Sequence, residues 1–431
     1  MPALNCRRFF IYSLKEYLKN GPVFQMQTKH FTLVLLNTAD LKQIFYFIPL
    51  LLLACTAGKN ATSEKNITNA YETHIDAVKK EYAPDSRTVL FDVKSNGAVL
   101  KGETNTPEAK AALLQRLQKE GKTFIDSITI LPTAELEGYH HAVVTVSVAN
   151  LRSKPGHPQE LSTQATLGTP LKVWKAQRGW YLVQTPDHYL AWVDGGGIQL
   201  MKEAQFAQWQ QSQKIIYTQP FGFAYAASDA SGATASDLVY GDILQLKKEM
   251  EAFYEVQFPD GRTAFIAKGE AMSYATWAAT RQPTGQNLVQ TAQRLMGLPY
   301  LWGGTSFKGV DCSGFTKTVY FMNGLVLPRD ASQQVHIGEP VDTKGGWQAL
   351  QPGDLLFFGT PAKDGKPERV VHVGMWIGGN NEFIHSASKV RISSFNPDAP
   401  NYDPSELKRF LRAKRITPQA TLYDLRTTAI F

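Results

Sequence analysis

Residues 298–322 read LPYLWGGTSFKGVDCSGFTKTVYFM, and this stretch decides what the C-terminal part of the chain can be. An Asp-Cys-Ser-Gly run surrounds Cys312, and apolar side chains then follow at Phe315, Val319 and Met322. This spacing predicts a helix that begins at Cys312 and buries these three side chains. Unpaired N–H groups and the helix dipole favour a negative charge at that position. We therefore expect Cys312 to be a nucleophile whose pKa lies below the ordinary value of ~8.5, although a lone cysteine is more often a buried apolar residue.

A base for this thiol is offered by residues 370–388, VVHVGMWIGGNNEFIHSAS, which are typical of a β-hairpin. Because side chains alternate between faces along a strand, the loop length decides whether His372 and His385 share a face. A two-residue loop sets His372 opposite His385, and a four-residue loop sets it opposite Ala387. A three-residue loop would separate the two histidines. We predict a shared face, with His372 as the base and His385 as the group that orients it.

Two histidines and one cysteine could instead hold zinc, but the sequence offers no CxxC or HxxxH partner. We therefore predict no metal and no cofactor. The net charge of +7 would suggest nucleic acid, but +4 of it lies in residues 1–54 and the remaining +3 forms no basic stripe. No nucleic-acid partner is expected. A chain of 431 residues, 43% hydrophobic and 19% charged, is long enough for two to four domains.

The start of the chain contains an uncharged run, IFYFIPLLLLA at 44–54, that ends at Cys55. It is too short to cross a ~30 Å hydrocarbon core, which needs about 20 residues, but it fits the apolar part of a secretory signal. The alternative is a buried core strand. The end of this apolar run resembles a bacterial lipobox, which implies that Cys55 is lipidated. We expect 1–54 to be a signal and upstream segment, with translation starting near Leu41 so that Cys6 is absent, and 55–65 to be a tether.

The middle of the chain predicts three small domains. Residues 66–135 combine a helix near Ala70–Tyr82, a hairpin at Asn96-Gly97, a helix from Pro107 and a last strand, an order that resembles the α/β BON-type domain. Next, Gly168–Val193 aligns without a gap on Gly241–Ile266, 73 residues later. The strands of this repeat resemble bacterial SH3-like domains, so we expect two SH3-like β-barrels at 140–203 and 212–275.

Residues 290–416 resemble the NlpC-type cell-wall peptidases, which have a papain-like fold. The resemblance rests on six ordered blocks, Tyr300-Leu301-Trp302-Gly303-Gly304, Asp311-Cys312-Ser313-Gly314-Phe315, Leu327-Pro328-Arg329-Asp330, Gln351-Pro352-Gly353-Asp354-Leu355, His372-Val373-Gly374 and His385. It implies a peptidase domain at 285–417, with Cys312, His372 and His385 as the catalytic residues. It also implies that Tyr300 helps to bind the oxyanion. The expected fold class is a multidomain α+β protein that ends in this peptidase domain.

The tandem SH3-like domains ahead of the peptidase are similar to those of γ-D-glutamyl-L-diamino acid endopeptidases. That resemblance implies a cleft closed at one end, where acidic groups bind the free amine of a stem peptide. The substrate-binding positions it implies are Asp311, Ser313, Asp330, Ala331 (where serine is common), Glu160 and, more weakly, Tyr189.

The expected function is hydrolysis of the γ-D-Glu–L-diamino acid bond of peptidoglycan-derived peptides by a lipoprotein of the cell envelope. Its lipid anchor would hold it on the membrane, facing the periplasm or the cell exterior. Two alternatives remain: a broader hydrolase of polymeric wall, and a non-catalytic wall-binding protein. An intact Cys312, His372 and His385 set argues against the second.

Overall fold

The computed structural model describes residues 60–431, with side chains from residue 71 onward. The expectations for the signal segment, for Cys6 and for lipidation of Cys55 lie outside the described residues. Among the helices that are described, none is both long enough and apolar enough to cross a membrane.

The N-terminal unit is a three-stranded sheet with two helices. Its elements are α1 (Asn60–Tyr82), β1 (Phe91–Asn96), β2 (Val99–Thr104), α2 (Pro107–Lys119) and β3 (Ile125–Ile130). This is the predicted helix–strand–strand–helix–strand order, and the hairpin turns at Gly97, whose φ is +59°. Helix α1 begins ten residues before Ala70, so 60–65 are helical rather than part of a tether. Strands β2 and β3 are parallel, and Leu100, Leu113 and Leu117 fill the core between sheet and helices.

A seven-stranded antiparallel sheet follows and includes the first copy of the repeat. Its strands are β4 (His141–Val144), β5 (Val148–Arg152), β6 (Leu161–Thr166), β7 (Pro170–Gln177), β8 (Trp180–Gln184), β9 (Leu190–Asp194) and β10 (Ile198–Met201), and helix α3 (Glu203–Gln211) ends it. The spatial order is β10-β4-β7-β8-β9-β5-β6.

The second sheet also has seven strands. They are β11 (Lys214–Tyr217), β12 (Phe221–Tyr225), β13 (Thr234–Val239), β14 (Ile243–Glu249), β15 (Phe253–Gln257), β16 (Thr263–Ala267) and β17 (Ala271–Ser273), followed by α4 (Tyr274–Thr280). Read from β17, the order β17-β11-β14-β15-β16-β12-β13 repeats that of the first sheet, strand for strand. The β7–β8 pair shifts register between Val173 and Lys175, and the β14–β15 pair shifts between Leu246 and Lys248, 73 residues later in each case. The sequence repeat is therefore a repeat of topology.

The expected closure of these sheets into barrels is not found. Within residues 60–431, no strand pair joins β6 to β10 or β13 to β17, so each sheet stays open. One edge of the first sheet is instead covered by the C-terminal domain. The carbonyl oxygen of Gln164 on β6 accepts a hydrogen bond from Thr305 Oγ1 (3.1 Å), and the Gln164 side chain accepts another from the Thr305 N–H (3.0 Å). An edge covered in this way needs no closing strand.

The C-terminal domain is built around one main sheet of six strands. Its helices are α5 (Gly285–Gln293), α6 (Cys312–Met322), α7 (Ala331–Gln334) and α8 (Pro404–Arg409). Its strands are β18 (Thr305–Ser306), β19 (Gly309–Val310), β20 (Leu325–Val326), β21 (Glu339–Val341), β22 (Leu355–Thr360), β23 (Arg369–Gly378), β24 (Glu382–Ala387), β25 (Lys389–Ser394), β26 (Phe410–Arg415) and β27 (Tyr423–Asp424). The six strands of the main sheet lie in the order β21-β26-β22-β23-β24-β25. Helix α6 packs on β23 and β24, which sets the end of the helix that carries Cys312 beside the strands that carry the two histidines.

Candidate active site

Cys312 is the first residue of α6, as the spacing predicted, and Phe315, Val319 and Met322 are buried beneath it. The Asp311 side chain caps the helix, since its Oδ1 accepts the N–H of Gly314 at 2.7 Å. Gly314 has no room for a side chain, because a Cβ there would lie 1.9 Å from the carbonyl oxygen of Gly304. The close approach of this loop to the helix fixes where the thiol stands.

Asp311 is held by more than the helix. Arg329, which is 1% exposed, donates to Asp311 Oδ2 at 2.6 Å and to Oδ1 at 3.1 Å. The Gly303 N–H adds a third donor at 3.0 Å. Arg329 also donates to Thr163 Oγ1 on β6 at 3.0 Å, so it ties the first sheet to the peptidase domain. With its oxygens engaged in this way, Asp311 supports the site more than it offers a free charge to a ligand.

Burial outweighs the helix terminus at the thiol. Cys312 is 8% exposed, and burial, aided by the Asp311 carboxylate, raises the pKa of its thiol to about 11. Hydrogen bonds from the backbone N–H groups of Val373 and Ser313 act in the opposite direction. The expectation of a lowered pKa is therefore wrong, because the cost of desolvating the thiolate exceeds the stabilisation that the helix N-terminus gives it. The resting side chain is a neutral thiol.

The histidines share a face, as predicted, but by a different loop. Glu382 pairs with Gly378, which leaves a three-residue loop, the length expected to separate them. A β-bulge between Trp376 and Gly378 inserts one residue and restores the parity. His372 Nε2 and His385 Nδ1 then lie 2.8 Å apart, within hydrogen-bond distance.

A chain of hydrogen bonds behind this pair favours one arrangement of its protons. The Ser393 hydroxyl donates to Asp403 Oδ2 at 3.2 Å, so its oxygen is free to accept from His385 Nε2–H at 3.1 Å. His385 Nδ1 is then an acceptor, and the His372 Nε2–H donates to it. The Arg391 Nε–H points to His385 Nε2 from 3.4 Å and would need that nitrogen to be an acceptor; we assign Nε2–H because the Ser393 contact is shorter. This assignment leaves His372 Nδ1 without a proton, as a general base requires.

Both histidines are neutral near neutral pH. Burial lowers the pKa of His372 to about 3 and that of His385 to about 3, and each is also lowered by a neighbouring cation, Arg409 in the first case and Arg391 in the second. The Glu406 Oε1, 3.9 Å from His372 Nε2, acts against this for His385 but is itself paired with Arg409. The Cys312 thiol and the His372 imidazole are therefore both uncharged near neutral pH.

These same groups form a possible metal cluster, His372, His385 and Glu406, whose ligand atoms lie within 4.8 Å of one another. The 2.8 Å between the two ring nitrogens fits a shared proton. Two nitrogens bound to one tetrahedral zinc at ~2.0–2.1 Å would stand roughly 3.3 Å apart. The geometry favours the hydrogen-bonded pair.

Above the thiol lies a cleft of about 870 Å³. Eight residues that the sequence predicted line it: Glu160, Tyr189, Tyr300, Asp311, Cys312, Ser313, Asp330 and Ala331. Glu160, which directly precedes β6, is exposed and accepts a hydrogen bond from the indole N–H of Trp302 at 2.8 Å. Tyr189, which directly precedes β9, lies close to Asp330, whose charge adds to burial in raising the pKa of the Tyr189 hydroxyl. The cleft therefore lies between two domains, as the resemblance implied.

Sequence reasoning missed several residues of the site. Ser393 and Asp403 extend the histidine pair, and only Asp403 carried a signal, because Asp-Pro-x-Glu is a helix-start pattern. Trp302 and Arg329 lay inside matched blocks without an assigned role. Arg87, which lines the cleft from the N-terminal unit, carried no signal at all.

Comparison with known proteins agrees with this geometry. Residues 297–405 match the NlpC/P60 family and residues 151–197 match the bacterial dipeptidyl-peptidase Sh3 domain. A γ-D-glutamyl-L-lysine dipeptidyl-peptidase of Bacillus cereus is 32% identical over 268 residues, 60% of this chain and 76% of the relative. The Bacillus subtilis protein of the same name is 29% identical over 229 residues, 52% of this chain and 72% of the relative. The crystal structure of an NlpC/P60 family protein from Bacillus cereus superposes with a TM-score of 0.55 and 27% identity, covering 64% of this chain and 100% of that one.

The thiol, the histidine pair and these matches together define a cysteine peptidase with an SH3-type domain ahead of it. The chain belongs to the NlpC/P60 family.

Proposed function

We propose that this protein hydrolyses the γ-D-glutamyl–L-diamino acid bond of peptidoglycan stem peptides that carry a free N-terminal L-alanine. The observation that carries this proposal is the cleft, in which two carboxylates, Glu160 and Asp330, stand on opposite domains around Cys312. Each carboxylate has an exposed part, whereas Asp311 is buried against Arg329. A cleft of this kind suits a short peptide whose ammonium group ends between the two acids.

In the proposed reaction, His372 Nδ1 takes the thiol proton as Cys312 Sγ attacks the γ-carbonyl carbon of the D-glutamyl residue. The oxyanion accepts hydrogen bonds from the Cys312 N–H and the Tyr300 hydroxyl, the two donors proposed for it. The C–N bond breaks as the imidazolium returns its proton to the leaving amine, which leaves a thioester. Water then attacks the thioester carbon and gives a proton to His372. The C–S bond breaks, the acid is released, and the imidazolium returns its proton to Cys312 Sγ.

His385 is a positioning residue in this scheme. Its Nδ1 accepts a hydrogen bond from His372 Nε2–H at 2.8 Å, which keeps His372 Nδ1 free to take the thiol proton. Its own ring is completely buried and is fixed by Ser393. This arrangement supports the role of third member of a triad.

The proposed substrate contacts follow the cleft. Glu160 and Asp330 bind the ammonium, and Tyr189 orients Asp330. The Ser313 hydroxyl oxygen accepts a hydrogen bond from Arg329 at 3.1 Å. The Ser313 hydroxyl can therefore donate its proton to Asp311, 3.3 Å away, or to a ligand. Ala331 contributes only a methyl group, which makes this end of the cleft poorer by one hydroxyl.

The deciding assay compares L-Ala-γ-D-Glu-diaminopimelate with its N-acylated form, and each with the lysine counterpart. We expect cleavage of the free-amine peptides alone, and none by Cys312→Ala. Equal cleavage of free and acylated peptides would favour the broader wall hydrolase. If the parent protein cleaves neither and binds intact wall as well as Cys312→Ala does, the non-catalytic alternative holds.

We further propose that the second sheet is a divergent SH3-like copy that serves as a spacer. It shares the strand order and the bulge of the first sheet, but none of its residues lines the cleft. A substitution on its far surface should leave the kinetic constants unchanged.

The lipid anchor at Cys55 also belongs to this proposal, and with it a place on the membrane in the cell envelope. The lipobox-like sequence and the apolar run before it support it. Cys55→Ala should release the protein from the membrane fraction, and mass spectrometry should find a lipid on Cys55. A peptide that contains residues upstream of Cys55 in the mature protein would contradict it.

A further inference from the structure

The N-terminal unit reaches the cleft through the segment that joins α1 to β1. Ser86 and Arg87 line the cleft, although both family matches begin later, at residues 151 and 297. The backbone of this segment is tied to the first sheet next to Tyr189. The Leu190 N–H donates to the Arg87 carbonyl oxygen at 2.7 Å, and Gln184 Nε2 donates to the Thr88 carbonyl oxygen at 2.8 Å.

The Arg87 side chain crosses from this segment to the peptidase domain. Its Nη1 donates to Asp330 Oδ2 at 2.8 Å and to Ser332 Oγ at 2.9 Å. Its Nε and Nη2 donate to the two oxygens of Asp85, each at 2.8 Å. Gln333 Nε2 donates to Asp85 Oδ2 at 2.7 Å, which closes the ring of contacts. Four of the five N–H groups of the guanidinium are used in a fixed, planar fork.

The docking of the N-terminal unit does not depend on this arginine. Leu131 forms a buried cluster with Trp174 and Leu182 of the first sheet, and Leu90 packs against it. At another point of the same junction, Lys175 Nζ lies 2.7 Å from Glu103 Oε2. Arg87 therefore adds a contact to a unit that is already fixed.

The position of Arg87 relative to Asp330 gives it a role. Asp330 has Tyr189 as one neighbour and Arg87 as another, and the Arg87 guanidinium is partly exposed to the cleft. If the substrate ammonium meets Asp330, whatever precedes that amine must lie at this end of the cleft, where Ser86, Arg87 and Tyr189 stand. The unit thus occupies the space that an N-terminal extension would need.

We propose that Ser86 and Arg87 form the end wall of the substrate cleft, with Arg87 as the positioning residue that fixes Asp330. The inference rests on the proposed function and deepens it: the N-terminal unit shares with the first sheet the rejection of peptides whose N-terminus is substituted. The quantity it controls is the ratio of kcat/KM for the free-amine peptide to kcat/KM for the N-acylated peptide.

The test measures this ratio in the full chain for Arg87→Ala, Arg87→Lys and Arg87→Gln. For Arg87→Ala we expect KM of the free-amine peptide to rise about tenfold with kcat little changed, since one charge-assisted hydrogen bond to Asp330 is lost. Cleavage of the acylated peptide should increase, so the ratio falls. Arg87→Lys, which keeps the charge but not the fork, should recover part of KM and little of the ratio.

The matched control is Lys175→Met, which removes an ion pair of the same junction but touches nothing in the cleft. It should leave both KM and the ratio at the parent values. If it lowers the ratio as much as Arg87→Ala does, Arg87 acts only by docking the unit and the end wall is wrong. An unchanged ratio and KM in all three Arg87 variants would also overturn it. A parent protein that cleaves neither peptide refutes the proposed function itself, which is a separate result.

Discussion

At Cys312 two physical effects compete, and their sizes decide the resting state of the site. A helix N-terminus stabilises an anion by ~0.3–1 kcal/mol at exposed positions, whereas complete burial of an ionisable group can shift its pKa by several units. With 8% of the side chain exposed, desolvation prevails and the pKa of the thiol rises to about 11. The enzyme would therefore start from neutral partners and transfer the proton during attack, when substrate supplies the compensating contacts.

This balance predicts the pH dependence of alkylation. In the absence of substrate, the rate of Cys312 modification by iodoacetamide should rise with a midpoint near pH 11, above the ordinary range of a thiol. Subtracting the label found on a Cys312→Ser protein removes modification of other cysteines. A midpoint below pH 7 would show a resting thiolate–imidazolium pair and would contradict the prediction.

The hydrogen-bond chain predicts a measurable role for Ser393. In Ser393→Ala the His385 Nε2–H loses its acceptor, so the assigned proton arrangement weakens. We expect kcat to fall roughly fivefold to tenfold with KM unchanged, the worth of about one neutral hydrogen bond.

Ser386→Ala is the matched control for Ser393→Ala. Ser386 is a buried serine beside His385 whose hydroxyl donates to the Val310 carbonyl oxygen at 2.9 Å. The Ser386→Ala variant should keep kcat near the parent value. An equal loss in both variants would mean that general packing, and not the chain to Asp403, sets the rate.

Among the elements, α6 depends on one glycine. A Cβ at Gly314 would lie 1.9 Å from the Gly304 carbonyl oxygen, which is backbone and cannot swing away. Gly314→Ala should lower the free energy of unfolding by about 1–3 kcal/mol, as overpacking does, and should reduce kcat because the Cys312 N–H moves with the helix end. Urea denaturation and steady-state kinetics measure the two effects.

Gly345→Ala serves as the control for Gly314→Ala, since a Cβ there meets no heavy atom within 4 Å. It should unfold at the parent urea concentration and keep the parent kcat. If Gly314→Ala behaves in the same way, the loop and helix are looser than their contact indicates.

The elements also mark the limit of sequence reasoning. Helix α6 follows from local spacing, which the sequence states directly. The shared face of His372 and His385 was expected for a loop of two or four residues, and with the observed three-residue loop it depends on a β-bulge. The sequence does not predict this bulge near Ile377, because nothing in the hairpin pattern shows which residue will be left unpaired. The raised pKa of Cys312 and the Arg87 contact depend on distant chain: 243 residues separate Arg87 from Asp330. Such contacts have no local signal.

For the whole molecule, the two buried histidines predict how stability depends on pH. Their folded pKa values of about 3 lie below the unfolded value of 6.5, so between these limits the unfolded chain binds more protons. Stability should therefore fall as the pH drops from 6.5 towards 4, and stay level just above 6.5. Burial raises the pKa of Asp242 well above 3.8, so this carboxyl group changes stability in the opposite direction. It binds one proton, whereas the two histidines together bind two.

Urea midpoints at pH 7 and pH 5 test this dependence. The parent should be less stable at pH 5, and His385→Asn should lose less between the two values because one of the buried titrating groups is gone. Equal midpoints for the parent at both values would mean that the histidines are protonated without cost in the folded state.

The repeated sheets have a consequence for how the chain is made and folded. Two neighbouring units with one strand order and one bulge position point to duplication of an ancestral segment. Tandem copies of a fold risk exchanging strands while they fold, which is a common route to misassembled multidomain proteins. At most positions of the repeat the two copies now carry different residues. That divergence frees the second copy from the cleft and also makes a strand from one sheet a poor fit in the other.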